Sequence, residues 1–243
     1  MKHQRFLTGL FLLATCFLSK SLTAQEERAL TGAKFLRITS AHTAFPDTGR
    51  NRGYTYNEKY YAFRDHYQDS GVIIIVPENP PKRHLVELIF WFHGWNNNID
   101  TALVYYHIGE QFISAHRNAV LVLAETAKNA PDSYGGKLEQ PGVFSALVQD
   151  VMNSLKKSRL VPKNALPGKV MLAGHSVAYK VIAMILQNGD VKIQEVELFD
   201  ALYGQTDKFA NWIGLSNRNR FINLFTNQGG GTDEVSKDDG KFN

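Results

Sequence analysis

Apolar positions follow two rhythms along this chain. Val72-Ile73-Ile74-Ile75-Val76 is an unbroken β-branched run, stopped by Pro77 and the turn Asn79-Pro80-Pro81. Residues 85–92, 119–124 and 169–173 are apolar runs as well, with Glu87 and Lys169 the only polar residues in them. Runs of this kind predict strands buried on both faces of a sheet. An opening strand is predicted over 35–45, and two late strands over 195–199 and 221–225. Phe144, Leu147, Val148, Val151, Met152 and Leu155 instead recur at helical spacing and predict a helix with one buried stripe. Pro162 and Pro167 end that pattern. Helices are also predicted over 101–117, with Asp100 as N-cap, over 179–186, and over a short piece at 206–215. The polar, tyrosine-rich stretch 51–61 and the glycine-containing stretch 131–141 read as loops.

Strands that alternate with helices predict an α/β fold: a mostly parallel sheet with helices on both faces. No internal repeat or long linker interrupts the pattern, so residues 25–243 are expected to form a single domain. Right-handed crossovers bring the strand C-termini to one edge, where such sheets bind ligands. The loops after Phe92, Phe199 and Phe225 and the segment around Ser176 are expected to share that edge.

The 243 residues suffice for one full core. Residues 1–24 have the layout of a secretory signal: Lys2 and Arg5, then an apolar stretch over 6–18 that is short for a membrane span, with cleavage expected between Ala24 and Gln25. Export to the periplasm or beyond the cell follows from that expectation. The only cysteine, Cys16, lies inside this segment. Leu13-Ala14-Thr15-Cys16 is a poor lipoprotein box because Thr15 precedes the cysteine, so Cys16 reads as apolar filler. The mature chain would then have no disulfide and would stand on packing alone. The segment carries three cations, Lys2, Arg5 and Lys20, and no acid, so its removal takes the formal charge from +4 to +1. That balance excludes nucleic acid as a partner, and no later apolar run is long enough for a stable membrane anchor.

The segment Gly174-His175-Ser176-Val177-Ala178 joins the strand at 169–173 to the helix at 179–186. A serine at the apex of a sharp strand-to-helix turn is a nucleophile elbow, and small flanking residues let the backbone bend enough to expose its hydroxyl. An ordinary helix N-cap at Ser176 is the plain alternative, and it leaves the matched order of strand, small residues and helix unexplained. A second element is Leu88-Ile89-Phe90-Trp91-Phe92-His93-Gly94-Trp95, an apolar strand that ends in His-Gly before the turn Asn96-Asn97-Asn98.

With these two elements in this order, residues from about 72 to 233 resemble the α/β-hydrolase superfamily. The wider set Arg64-Asp65-His66-Tyr67, His93-Gly94-Trp95, Gly174-His175-Ser176 and Asp200-Ala201-Leu202-Tyr203 resembles a group of exported bacterial hydrolase-like proteins. The resemblance implies ester, thioester or amide hydrolysis through an acyl-enzyme on Ser176. It implies an oxyanion hole from the amide of Gly94 or Trp95 together with that of Val177, each donor worth roughly 3–4 kcal/mol. His93, Gly174, His175 and Ala178 would support the loop and the elbow. Ala178 stands where glycine is common, and it is small enough to keep the close packing.

The same resemblance implies the chain order serine, acid, histidine. Two acids qualify. Asp200 directly ends the first strand after the elbow helix and is favoured for that reason. Asp233 follows the second strand, after Gly229-Gly230-Gly231-Thr232, and belongs to the charged stretch 231–243, which is expected to be a disordered tail. Every histidine (His3, His42, His66, His84, His93, His107, His116 and His175) precedes Ser176. The last strand and helix of the fold are therefore expected to be missing. Three readings remain open: a truncated hydrolase; an inactive exported pseudo-hydrolase that binds a ligand or protein; and an unconventional base from His66, His107 or His116. His175 is expected to point away from the serine.

No cofactor and no metal is expected. The chain lacks His-Glu-x-x-His, Cys-rich spacing and a calcium-loop pattern, and no Lys-Ser/Thr helix start follows the triple glycine. The expected partner is a small-molecule or polymeric ester or amide. Trp91, Trp95, Tyr105 and Tyr106 could line its pocket, with core packing an equal account of Trp91. The span between Asp200 and Phe221 has room for a short helix but no large lid, which predicts an open site. Oligomeric state is not legible.

Overall fold

The computed structural model describes residues 32–78, 84–226 and Val235. The signal segment with Cys16, the turn at 79–81, Asp233 and all of the expected tail except Val235 lie outside the described residues. Val235 is helical and packs against the main core.

Seven strands form one sheet in the order β1 (Ala33–Thr39), β4 (Gly71–Pro77), β6 (Val120–Ala124), β5 (Leu85–Phe92), β7 (Leu166–His175), β8 (Ile193–Phe199) and β9 (Arg220–Leu224). β5 to β9 are mutually parallel, and β4 runs against both β1 and β6. The continuous runs became central strands because helices cover both faces. Alternate residues of β4 serve different cores: Val72, Ile74 and Val76 face the larger cluster, Ile73 and Ile75 the smaller. The larger one contains residues of α4 (Val143–Lys157), α5 (Ala178–Asn188) and α6 (Thr206–Gly214). The smaller contains residues of α2 (Ile99–Tyr105) and α3 (Ile108–Ser114). The predicted stripe of α4, from Phe144 to Leu155, is buried throughout.

Two expectations are corrected. Residues 51–61 are not all loop: β2 (Tyr54–Tyr56) and β3 (Lys59–Tyr61) form a hairpin, followed by the single turn α1 (Phe63–His66). The helix predicted over 101–117 is two helices, because His107 takes φ 51° and interrupts the ladder between α2 and α3. Its N-cap is Asn98, whose side chain accepts from the Thr101 N–H at 2.9 Å; Asp100 sits inside the first turn and pairs with Arg37 instead. The chain between β8 and β9 holds the nine-residue α6.

Parallel register aligns the strand ends. Phe92 sits beside Gly174, Gly174 beside Leu198, and Leu198 beside Asn223. The residues that follow these strands are therefore level on one edge.

Candidate active site

β7 ends at His175 and α5 begins at Ala178, which leaves two residues for the reversal. Ser176 takes φ 56°, in the left-handed region, and its N–H donates to the Phe199 carbonyl at 3.1 Å. Gly174 is required by packing: a Cβ there would lie 2.6 Å from the Ala178 Cβ and 2.8 Å from Ile182 Cδ1. Strand and helix meet at that point, and Ala178 is the small residue on the facing side.

The loop after β5 touches the elbow directly. A Cβ on Gly94 would lie 2.9 Å from the Ser176 Cβ and 2.9 Å from His175 Nδ1. Phe90 and Trp91 pair with Val122 and Leu123, and continuing that register sets His93 level with Glu125. His93 is buried; its Nδ1 donates to the Gly94 carbonyl at 2.7 Å, and its Nε2 lies 2.6 Å from Glu125 Oε1 and 2.9 Å from the Thr126 hydroxyl. Glu125 also accepts the Thr126 N–H at 3.2 Å and the Ile99 N–H at 3.3 Å. The asparagine turn is tied to the same segment: Asn96 donates to the Ala130 carbonyl at 3.0 Å, and Asn129 to the Asn97 carbonyl at 2.7 Å. Among the described residues, the N–H groups of Trp95 and Val177 take no backbone acceptor outside helices and strands.

Asp200 follows β8 at φ 45°; its N–H donates to the Leu224 carbonyl at 2.7 Å, and its Oδ1 accepts the Thr226 N–H. Burial lowers the pKa of His175, which Asp200 counteracts and His93 reinforces. His175 Nδ1 is buried with no hydrogen-bond partner, and its ring lies 5.3 Å from that of Tyr106. His175 Nδ1 makes no hydrogen bond to the Ser176 hydroxyl.

The three histidines considered as unconventional bases are occupied elsewhere or remote in element. His66 Nδ1 donates to the Lys128 carbonyl at 2.8 Å, His107 is exposed beside Glu110, and His116 follows the end of α3. Ser40, His42 and Asp150 meet in a second cluster. There the Ser40 hydroxyl and His42 Nδ1 both end on one Asp150 oxygen, at 2.6 and 2.8 Å, which pins the chain after β1 to α4. No described histidine is hydrogen-bonded to Ser176.

Several residues at this edge escaped sequence reading. Glu125 had a usable signal, an acid directly after an apolar strand. Asp132, Arg50 and Tyr134 had none, because their pairing depends on the loop after β1 folding over the edge. Asp132 is buried and receives the Arg50 guanidinium at 2.5 and 3.0 Å, the Tyr67 hydroxyl at 3.1 Å and the Tyr134 N–H at 2.9 Å. Burial opposes the Arg50 charge, yet Asp132 more than offsets it and raises the Arg50 pKa. Burial and Asp47 push the Tyr134 phenol up to about 12. Trp91 belongs to the smaller core. A small open depression bounded by His93, Thr126, Tyr134, Val177 and Val181 adjoins the elbow.

No protein-family model and no curated protein sequence matches the chain. Solved structures similar to it include a ferulic acid esterase (11% identity, TM-score 0.43, 71% of this chain and 59% of that one) and a bacterial heroin esterase (14%, 0.42, 76% and 50%). An S-formylglutathione hydrolase from Agrobacterium tumefaciens is similar at 10% identity and TM-score 0.41, over 77% of this chain and 64% of that one. The chain thus spans between half and two thirds of the length of these structures. Its strand order, its antiparallel second sheet strand and its strand–serine–helix turn are those of the α/β-hydrolase fold.

Proposed function

We propose that the protein is an exported serine hydrolase that cleaves an ester, thioester or amide through an acyl-enzyme on Ser176. The observation that carries this reading is the left-handed Ser176 at the strand-to-helix junction, with Gly94 packed against its Cβ. Strain of this kind persists only where the surroundings impose it, and it clusters at catalytic positions. In the reaction the Ser176 Oγ attacks the substrate carbonyl carbon and its proton leaves to a base. The oxygen that gains charge is held by the N–H of Val177 and that of Gly94 or Trp95. Collapse expels the alcohol, thiol or amine, and water then releases the acid. Asp200, at the end of β8 beside His175, is the acid of the site.

Since no described histidine bonds to Ser176, turnover is expected to be a small residue of what a full triad supports. The oxyanion hole and binding alone leave about 10³–10⁴-fold over water. The same observation favours a second reading, a binding module on a hydrolase fold. The two separate on one substitution. In a hydrolase, Ser176→Ala abolishes both phosphonylation by a fluorophosphonate, in which the serine oxygen displaces fluoride from phosphorus, and ester cleavage. In a binding module, wild-type Ser176 takes no adduct and ligand binding is unchanged by the substitution.

A further inference from the structure

Trp95 is 40% exposed, whereas the other two tryptophans, Trp91 and Trp212, are 7% and 5% exposed. It directly follows Gly94, the residue that packs against the Ser176 Cβ. It is held there by a run of stacked groups. Trp95 meets Tyr56 edge to face at 5.3 Å, and Tyr56 stacks on Tyr54 at 6.4 Å. The Arg50 guanidinium lies 4.6 Å from the centre of the Tyr54 ring and 4.7 Å from that of Tyr134. Arg50 in turn is fixed on the buried Asp132 carboxylate. A two-stranded hairpin is marginal by itself; this one is secured by its rings. Tyr134, at the far end of the run, also borders the depression beside Val177.

We propose that this stack is a subsite for a planar aryl group of the substrate, which lies on the exposed face of Trp95 while the carbonyl sits at Ser176. A preordered indole loses little freedom when a flat ring covers it, and aromatic pairs gain beyond the area they bury. An alkyl chain of similar size gains only the area. The proposal rests on the hydrolase reading for its chemistry, but ring binding is measurable without turnover.

The test uses the full chain with Ser176→Ala, which prevents turnover, and two probes, methyl benzoate and methyl heptanoate, whose acyl groups have the same number of carbons. Because Trp91 and Trp212 are buried out of reach of an added ligand, a ligand-dependent change in tryptophan emission reports mainly on Trp95. Methyl benzoate is expected to change that emission saturably and to bind roughly three- to tenfold more tightly than methyl heptanoate. Followed by saturation-transfer NMR, the preference is expected to vanish in Trp95→Ala and to persist in Trp95→Phe. Equal affinities, or a preference that survives Trp95→Ala, would overturn the subsite. Failure of the hydrolase reading shows separately, as absence of a phosphonate adduct on wild-type Ser176.

Discussion

Ser176 is held in a conformation that costs of order 1–3 kcal/mol for a residue with a side chain, and Gly174 is what makes it tenable. With 2.6 Å between a Cβ at 174 and the Ala178 Cβ, any side chain there pushes α5 off β7. Gly174→Ala is expected to lower unfolding free energy by about 1–3 kcal/mol in urea titration and to weaken Ser176 labelling with it. His175 gives a second expectation. Burial holds its folded pKa below the ordinary 6.5. Between the two values the unfolded chain binds more protons than the folded one, so stability falls as pH drops below about 6.5 and levels off beneath the folded pKa. In His175→Gln this decline is expected to shrink when stability is measured across that window; an unchanged decline would show that His175 does not drive it. At this scale the place of Ser176 at a strand-to-helix turn, its small neighbours and the His-Gly turn were legible from residue order alone. The placement of the His175 ring was not, because it depends on the loop from β5 lying against the elbow.

Among the elements, the continuous apolar runs translated directly into β4, β5, β6 and β7, since strands covered on both faces carry no polar alternation to obscure them. The β2–β3 hairpin was illegible for the opposite reason. Its strands have three residues each, and its turn residues Asn57 and Glu58 both take positive φ, 46° and 64°, where glycine is the usual sequence signal. Tertiary contact decides it: Arg50 between Tyr54 and Tyr134, locked on Asp132. The Asp132 side chain is 3% exposed, so Asp132→Ala strands a partly buried guanidinium. A loss of about 3 kcal/mol is expected, read as a lower urea midpoint. Retention of wild-type stability would mean that the hairpin is held by something else.

Over the whole molecule, parallel register delivers Ser176, Gly94, Glu125 and Asp200 to one edge from four strands. This was foreseeable, because α/β crossovers dictate it. The choice between Asp200 and Asp233 was not, since Asp200 follows Phe199, the register partner of His175, while Asp233 lies outside the described residues. The site's rim comes from the loop after β1, far upstream in sequence, and no local pattern announced it. The central claim is that this edge presents Ser176 as a nucleophile, and covalent labelling reads it most directly. The full chain is incubated with a fluorophosphonate, digested, and its serine peptides are mapped by mass spectrometry. The expected result is an adduct on Ser176, above any other serine, that disappears in Ser176→Ala; an unmodified Ser176 peptide would contradict it.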